Sequence, residues 1–303
     1  MNKKNILVTG ANGQLGRELQ LLAHAYPGHR FFFADKDGLT INDSEAVKKY
    51  FTDHQIDCCI NCAAYTAVDK AESEKEKAFL INGTAVGGLA AVCNQQHSLL
   101  IHISTDYVFD GKAQQPYRET DEPCPANSYG ESKLKGEQLA LQNNPDTIII
   151  RTSWLYSSFG NNFVSTMLRL MKERESINVV NDQYGCPTYA VDLVETIMTI
   201  VEKWADGNGQ SAMGNEQWAT LPAGRQVFNY CNSGVISWFE FALAIKELTG
   251  SGCIINPIPT SQYPTAAKRP AYSVLDTTKI QNAFQLTIPG WKQSLEKCLS
   301  RLN

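Results

Sequence analysis

The 303-residue sequence predicts an α/β fold: a doubly wound parallel sheet followed by a smaller C-terminal α/β lobe. Three observations predict it. Short apolar runs alternate with helical periodicities through the first half of the chain. The first of these runs leads into a glycine-rich turn, "VTGANGQLG". After Arg151 the alternation gives way to less regular, loop-rich sequence.

Taken in order, Asn5–Thr9 is a strand built on Ile6, Leu7 and Val8. Gln14–Ala25 is a helix, with Leu15, Leu19, Leu22 and Ala23 along one face. Arg30–Ala34 is a second strand and ends at Asp35. Ser44–His54 is a helix with Ser44 as a candidate N-cap. Asp57–Ala63 is a strand, Glu72–Gln96 one long Ala-rich helix, and Leu99–Ser104 a strand. Tyr129–Asn143 is a helix and Thr147–Arg151 a fifth strand. Apolar strands joined by helices make a parallel sheet covered on both faces, the Rossmann-type arrangement. Val164–Lys172, Val191–Lys203 and Ser237–Thr249 read as further helices, and Pro257–Pro270 as a Pro-rich loop. On this reading residues 1–155 form a dinucleotide-binding domain, to which segments near 178–205 return. Residues 156–177 and 206–303 form mainly a substrate-binding lobe, with a surface insertion at 209–226. No internal repeat is visible.

Composition narrows the partners. The 27 Lys and Arg nearly balance 31 Asp and Glu, with no basic stripe, which argues against nucleic acid. No apolar run reaches the roughly 18–20 residues of a membrane span, and the apolar part of the N-terminus is too short for a signal peptide. The nine cysteines are odd in number and follow no zinc spacing. Cys58, Cys59 and Cys62 lie in an apolar run and read as buried free thiols. The expectation is a soluble, cytoplasmic protein.

The glycine turn has the order that phosphate binding requires: strand, turn, helix. Gly10 can turn without a Cβ clash, Gly13 can admit a pyrophosphate to the backbone, and Gly16 can let helix and strand pack closely. The helix N-terminus then offers unpaired N–H groups. Asp35, 19 residues beyond Gly16, suits the ribose hydroxyls of an adenosine. Lys36 suits a 2′-phosphate instead, so NAD and NADP both remain open.

Within "NSYGESKLKGE", Tyr129 and Lys133 stand at i and i+4 on one helix face. A tyrosine hydroxyl ionises near pH 10, and a neighbouring lysine cation favours the phenolate. An ordinary surface pair has the same spacing. Ser104, Thr105 and Asp106 end a strand, at the edge where such sheets bind ligands. A hydroxyl there can hold a carbonyl beside Tyr129, and a capping turn has the same composition.

With these residues in place, the sequence resembles the extended short-chain dehydrogenase/reductases, and among them the dTDP-4-dehydrorhamnose reductase family. The ordered blocks "STDYVFDG", "NCAAYTAVDKAE", "RTSWLY", "GNNF", "VVNDQYGCPTYAVDL" and "YPTAAKRPAYSVLDT" carry the resemblance. It implies the last step of dTDP-L-rhamnose biosynthesis, a nucleotide-sugar reaction feeding cell-surface polysaccharide: NADPH or NADH gives hydride to C4 of the 4-keto sugar. Tyr129 is then the general acid, Lys133 tunes it and holds the cofactor ribose, and Thr105 holds the reacting oxygen. Asp106 and Trp154 contact the sugar nucleotide, although an isolated Trp is also commonly just packed. Gly10, Gly13, Gln14, Leu15 and Gly16 form the pyrophosphate loop, and Asp35 meets the ribose. Ala64, Tyr65 and Thr66 line the cofactor from the loop after the third strand. Thr40, with Ile41, stands where the family commonly carries an Asp near the adenine. The resemblance also allows a homodimer with Mg2+ between subunits, for which Glu18 is the candidate ligand, against the simpler reading of a solvated helix face. Two alternatives share the cofactor loop: another nucleotide-sugar reductase or epimerase of the superfamily, and a non-catalytic regulatory subunit like that of methionine adenosyltransferase.

Overall fold

The computed structural model describes residues 3–206 and 226–302. Its main strands, in chain order, are β1 (Asn5–Thr9), β2 (Arg30–Ala34), β3 (Cys58–Asn61), β4 (Leu99–Thr105), β5 (Thr147–Thr152), β6 (Ser176–Val180), β7 (Gln226–Tyr230) and β8 (Ile254–Ile258). Six of them form one parallel sheet in the order β7-β5-β4-β3-β1-β2. The chain moves from β1 to β2 on one side and then returns to β3 on the other. That reversal opens a crevice beyond the carboxyl ends of β1 and β3, where ligands of such sheets bind.

Parallel strands are buried on both faces, and the apolar residues here divide by alternation. Ile6, Val8, Ile60, Ile101, Ile148 and Ile150 face one side, against Leu15 and Leu19 of α1 (Gln14–Leu22). Leu7, Cys59, Leu100 and Ile149 face the other, where Val47 and Phe51 of α2 (Ser44–His54) and Leu89 of α3 (Ala85–Gln95) cover them. Ala140 of α4 (Ser128–Asn143) joins that second face.

The remaining helices are α5 (Phe163–Glu173), α6 (Ala190–Asp206), α7 (Trp238–Thr249), α8 (Thr278–Phe284) and α9 (Trp291–Ser300). A second core, with Val164, Ile177, Phe241, Ile245 and Leu295, joins α5, α7 and α9 to the parallel pair β6–β8. Leu193, Ile197 and Val201 of α6 lie instead under the large sheet, as do Ile280 and Phe284 of α8. Within the range 206–303, then, β7 and α8 serve the large sheet rather than the second core.

Three local expectations change. The predicted helix over 72–96 runs unbroken from Lys75 to Gln95 but widens to a π turn at Leu80–Thr84 before α3, and a separate short helix, Val68–Ala71, precedes it. The wide turn carries the buried Asn82, whose side chain is needed elsewhere (below). Asp43, not Ser44, caps α2, accepting from the Ala46 N–H at 3.0 Å. Pro257 lies in β8 rather than in a loop, a position open to proline because β8 has only β6 as a partner. The expected insertion at 209–226 lies outside the described residues except for Gln226, which begins β7. Among the described residues, no helix is long and apolar enough to cross a membrane.

Candidate active site

The glycine loop joins β1 to α1. Gly10 has a left-handed backbone (φ +66°), and a Cβ there would stand 2.6 Å from the Ala63 nitrogen. It therefore serves both the turn and the close approach of the strand that ends at Asn61. At Gly16 a Cβ would meet the Gly10 carbonyl oxygen at 2.5 Å, so this glycine packs the helix against its own loop rather than against a strand. Gly13 is the N-cap of α1 and has no side-chain cap, which leaves the first-turn N–H groups without a side-chain partner. The Gln14 side chain turns away from the turn, and its Oε1 accepts from Asn162 at 3.0 Å. Leu15 is core. Gly10→Ala is expected to lower dinucleotide affinity at least ~10-fold by calorimetry, because left-handed strain of about 1–2 kcal/mol adds to a backbone clash.

Tyr129 is placed by the start of α4. Asn127 caps the helix by accepting from Gly130 N–H at 2.8 Å, and its amide donates to the Lys268 carbonyl at 2.8 Å. Glu72 takes the Ser128 N–H at 2.8 Å and its hydroxyl at 3.0 Å. Gly130 lies so close to the turn after β4 that a Cβ would stand 2.1 Å from the Tyr107 carbonyl. The Tyr129 ring meets Tyr107 edge-on, with centroids 5.5 Å apart, and packs against the cluster of Tyr65, Ala71 and Ala78. Its phenol lies beside the Thr105 hydroxyl, close enough for that hydroxyl to favour its ionised form. Thr105 in turn accepts from Tyr107 N–H at 3.2 Å and donates to Asp106 at 2.9 Å. Three predicted residues, Thr105, Asp106 and Tyr129, are thus brought together at the end of β4.

Their electrostatics depart from one expectation. Burial, then the Asp106 charge, push the Tyr129 phenol up to about 12, while the Thr105 hydroxyl pulls it down. Lys133 is not among the causes. Its ammonium end is turned toward β4, donating to the Ile103 carbonyl at 2.7 Å and lying 3.3 Å from His102 Nε2. Burial lowers Lys133 to about 8, against the pull of Glu137 and Cys62. The predicted lowering of Tyr129 by Lys133 is therefore absent here, and Tyr129 is a fully protonated phenol at neutral pH.

Burial raises the Asp106 carboxyl to about 7, and hydrogen bonds from Thr105 and Ser273 oppose it. A carboxyl raised in the folded state keeps a proton that the unfolded chain has released. Stability from this group is present below its ordinary value near 3.8 and is lost as pH rises to about 7. Asp106→Asn is expected to flatten that slope: melting temperatures at pH 5 and pH 8 should differ less in the variant than in the parent protein.

The other predicted residues lie around this centre. Asp35 follows β2; one carboxylate oxygen accepts from the Asn12 amide, and the other from Asp37 and Gly38 N–H at 3.0 Å each. Thr40 is exposed and donates to the Lys36 carbonyl at 3.0 Å, whereas Ile41 is buried, so the two do not form one surface. Ala64, Tyr65 and Thr66 follow β3, and Tyr65 is fixed at both backbone groups by Asn82 at 2.8 and 3.0 Å. Trp154 has a left-handed backbone (φ +47°) and stacks on Trp238 with centroids 3.5 Å apart. Glu18 is neither solvated nor arranged for a metal. It is fully buried, 2.9 Å from Arg301 and hydrogen-bonded by Ser158. Among the described residues no group of three candidate ligands could hold a metal ion.

Several residues that build the site were not singled out from the sequence: Asn61, Asn82, His102, Glu137 and Arg151. Their shared signal is a polar or charged side chain inside an otherwise apolar strand or helix, a costly placement unless it is partnered.

A βαβ glycine loop, a Tyr-x-x-x-Lys helix and a strand-end threonine on a six-stranded parallel sheet define a short-chain dehydrogenase/reductase of the extended type. The RmlD substrate binding domain model matches residues 4–303. A dTDP-4-dehydrorhamnose reductase of Aggregatibacter actinomycetemcomitans is 39% identical over 297 residues, covering 96% of this chain and 97% of that protein. A Clostridium acetobutylicum structure of the same name is 37% identical, covers 98% and 99% of the two chains, and has a TM-score of 0.88. The Bacillus anthracis structure, solved in complex with NADP, is 35% identical with a TM-score of 0.89 and covers 99% of both chains. The chain belongs to the dTDP-4-dehydrorhamnose reductase family.

Proposed function

We propose that the protein reduces the C4 keto group of dTDP-4-dehydrorhamnose to give dTDP-L-rhamnose, with NADPH or NADH as reductant. The observation that carries this reading is the half-buried Tyr129 phenol, held protonated beside Thr105 at the carboxyl end of β4. The glycine loop suits a dinucleotide: the space a Cβ would fill at Gly10 and Gly16 is already tight, and the capless N-terminus of α1 faces the crevice edge of β1. Gly13, Gln14 and Leu15 would hold the pyrophosphate through backbone N–H groups, and Asp35 the adenosine ribose. Ala64, Tyr65 and Thr66 would line the cofactor on the β3 side, with Lys133 toward the second ribose. Thr40, exposed beyond β2, would be the adenine's neighbour there, with the buried Ile41 packed beneath it rather than in contact. When bound, the dinucleotide supplies the hydride.

The chain's own residues do the rest. Thr105 orients the C4 oxygen toward Tyr129 and stabilises the negative charge that develops there. Tyr129 breaks its O–H bond and gives the proton to that oxygen, forming the C4 hydroxyl. Reduction needs an acid that keeps its proton until this moment, and the raised phenol meets that need. Asp106 and Trp154 position the sugar nucleotide, with the second core of α5, β6, α7, β8 and α9 beside the end of the sheet. A homodimer and a cytoplasmic location belong to the same proposal. Reduced-cofactor absorbance at 340 nm, followed with dTDP-4-dehydrorhamnose and each cofactor in turn, tests it: loss of absorbance is expected with that sugar and not with UDP-glucose. A folded, cofactor-binding protein without turnover would overturn the reading.

A further inference from the structure

We propose that Trp238 is a positioning residue: it holds the Trp154 indole in place for the sugar nucleotide and acts on the substrate only through that ring. Trp154 stands two residues past Thr152, which pairs with Thr105 across β5 and β4, so it leaves the sheet beside the site. Its backbone is left-handed (φ +47°), a conformation that a bulky residue keeps only where its surroundings enforce it. The Thr188 N–H donates to the Trp154 carbonyl at 3.2 Å, and the Ser153 hydroxyl donates to the Cys186 carbonyl at 2.6 Å. Those contacts fix the backbone and leave the ring to turn about its own side-chain bonds. The ring is held by Trp238, whose indole lies nearly parallel to it (9°) with centroids 3.5 Å apart.

Trp238 is itself anchored. It opens α7 behind a reciprocal cap: the Ser237 hydroxyl accepts from Glu240 N–H at 3.2 Å, and the Glu240 carboxylate accepts from Ser237 N–H at 2.7 Å. Phe163, at the start of α5, packs on its ring with centroids 4.5 Å apart. Gly185 supplies a second wall. A Cβ there would stand 2.5 Å from Trp154 Cε2 and 2.8 Å from Ser273 Oγ, and Ser273 lies beside the Asp106 carboxyl. The two walls are one unit, because Ile236 and Ser237 pair antiparallel with Gly185 and Tyr184. Since Trp238 takes one face of the Trp154 indole, a sugar nucleotide can meet only the other face or an edge.

The role rests on the reductase reading, in which Trp154 contacts the sugar nucleotide. Without the stack the indole samples several rotamers, and each binding event has to order it again. That cost falls on the ground state and the transition state alike, so it raises KM and leaves kcat in place. The worth of one aromatic stack sets the loss at about tenfold.

Fluorine NMR of protein labelled with 5-fluorotryptophan tests the stack without substrate. The chain has five tryptophans, and the signal lost in Trp154→Phe assigns Trp154. Its signal is expected to move when Trp238→Leu removes the ring beside it, and to return toward the parental position in Trp238→Phe. An unmoved signal would overturn the proposal. This arm needs no turnover, so its failure is distinguishable from failure of the reductase reading, which would appear as an inactive parent protein. The second arm is steady-state kinetics. Trp238→Leu is expected to raise KM for dTDP-4-dehydrorhamnose about tenfold, with kcat and cofactor affinity held, and Trp238→Phe to recover most of the loss. Added to Trp154→Ala, Trp238→Leu should change KM no further, because it acts through that ring. Effects that multiply would make Trp238 a direct substrate contact, and lost stability with an unmoved KM would make it purely structural; either result overturns the proposal. Should Trp238→Leu fail to fold, Trp238→Met, which fills more of the space and stacks no ring, takes its place in both arms with the same expected results.

Discussion

Tyr129→Phe is expected to fold, to bind the reduced dinucleotide with unchanged affinity, and to lose about 10²–10⁴-fold in kcat. The substitution removes one oxygen and leaves the ring, and the ring makes the packing contacts. Its edge-on contact with Tyr107 and its packing against the cluster of Tyr65, Ala71 and Ala78 are contacts of the ring. The helix start is held by Asn127, Ser128 and Gly130, none of which the change touches. What disappears is the acid beside Thr105. A cofactor titration by fluorescence, set beside the steady-state rate, separates these effects. A near-parental kcat would remove Tyr129 from the chemistry, and a large loss of cofactor affinity would assign it a binding role instead.

The largest expected effect on stability is at Arg151. Its guanidinium meets the Glu137 carboxylate through two nitrogens, at 2.7 and 3.0 Å, and both side chains are almost fully buried. Its flat face also lies over the Phe109 ring, 5.0 Å from the centroid. Arg151→Leu would leave Glu137 buried with Ser104 as its remaining partner. Breaking a buried pair from one side costs about 3–5 kcal/mol, read as a lower urea midpoint. The paired change Glu137→Leu with Arg151→Leu should recover most of that loss, since the uncompensated charge goes with it. If the single variant costs less than about 1 kcal/mol, or the double costs the sum of the two singles, the stranded-charge account is wrong. Because Ser104 precedes Thr105 on β4, the single variant should also slow turnover in whatever fraction stays folded.

The fold was readable where its physics is local. Alternating apolar residues in β1 to β5 show a sheet buried on both faces, and the Gly10–Gly16 turn shows where its ligand edge lies. Tyr129 and Lys133 were readable as a pair because i, i+4 spacing places them on one face. Where their ends point was not readable, because that depends on partners far along the chain. Lys133 turns to Ile103 and His102, some thirty residues earlier, and so leaves the Tyr129 phenol unassisted. The π turn inside the helix predicted over 72–96 hides in an Ala-rich stretch whose periodicity survives it. Asn82, the reason for that turn, reaches back to Tyr65 and across to Ser132. Glu18 shows the same limit. Its place on α1 suggested solvent or a metal, and only the tertiary arrangement brings Arg301, near the far end of the chain, onto its carboxylate. β7 was missed as a strand of the main sheet because it follows a long polar stretch and pairs with β5 from across that gap.

The central claim is that this chain delivers a hydride to C4 of a 4-keto sugar nucleotide while Tyr129 protonates the oxygen. It is tested most directly by turnover of dTDP-4-dehydrorhamnose with reduced cofactor deuterated at its hydride position. The account predicts dTDP-L-rhamnose carrying one deuterium at C4, with none at C3 or C5. Recovery of unchanged keto sugar from a folded, cofactor-binding protein, or deuterium at any other carbon, would contradict it.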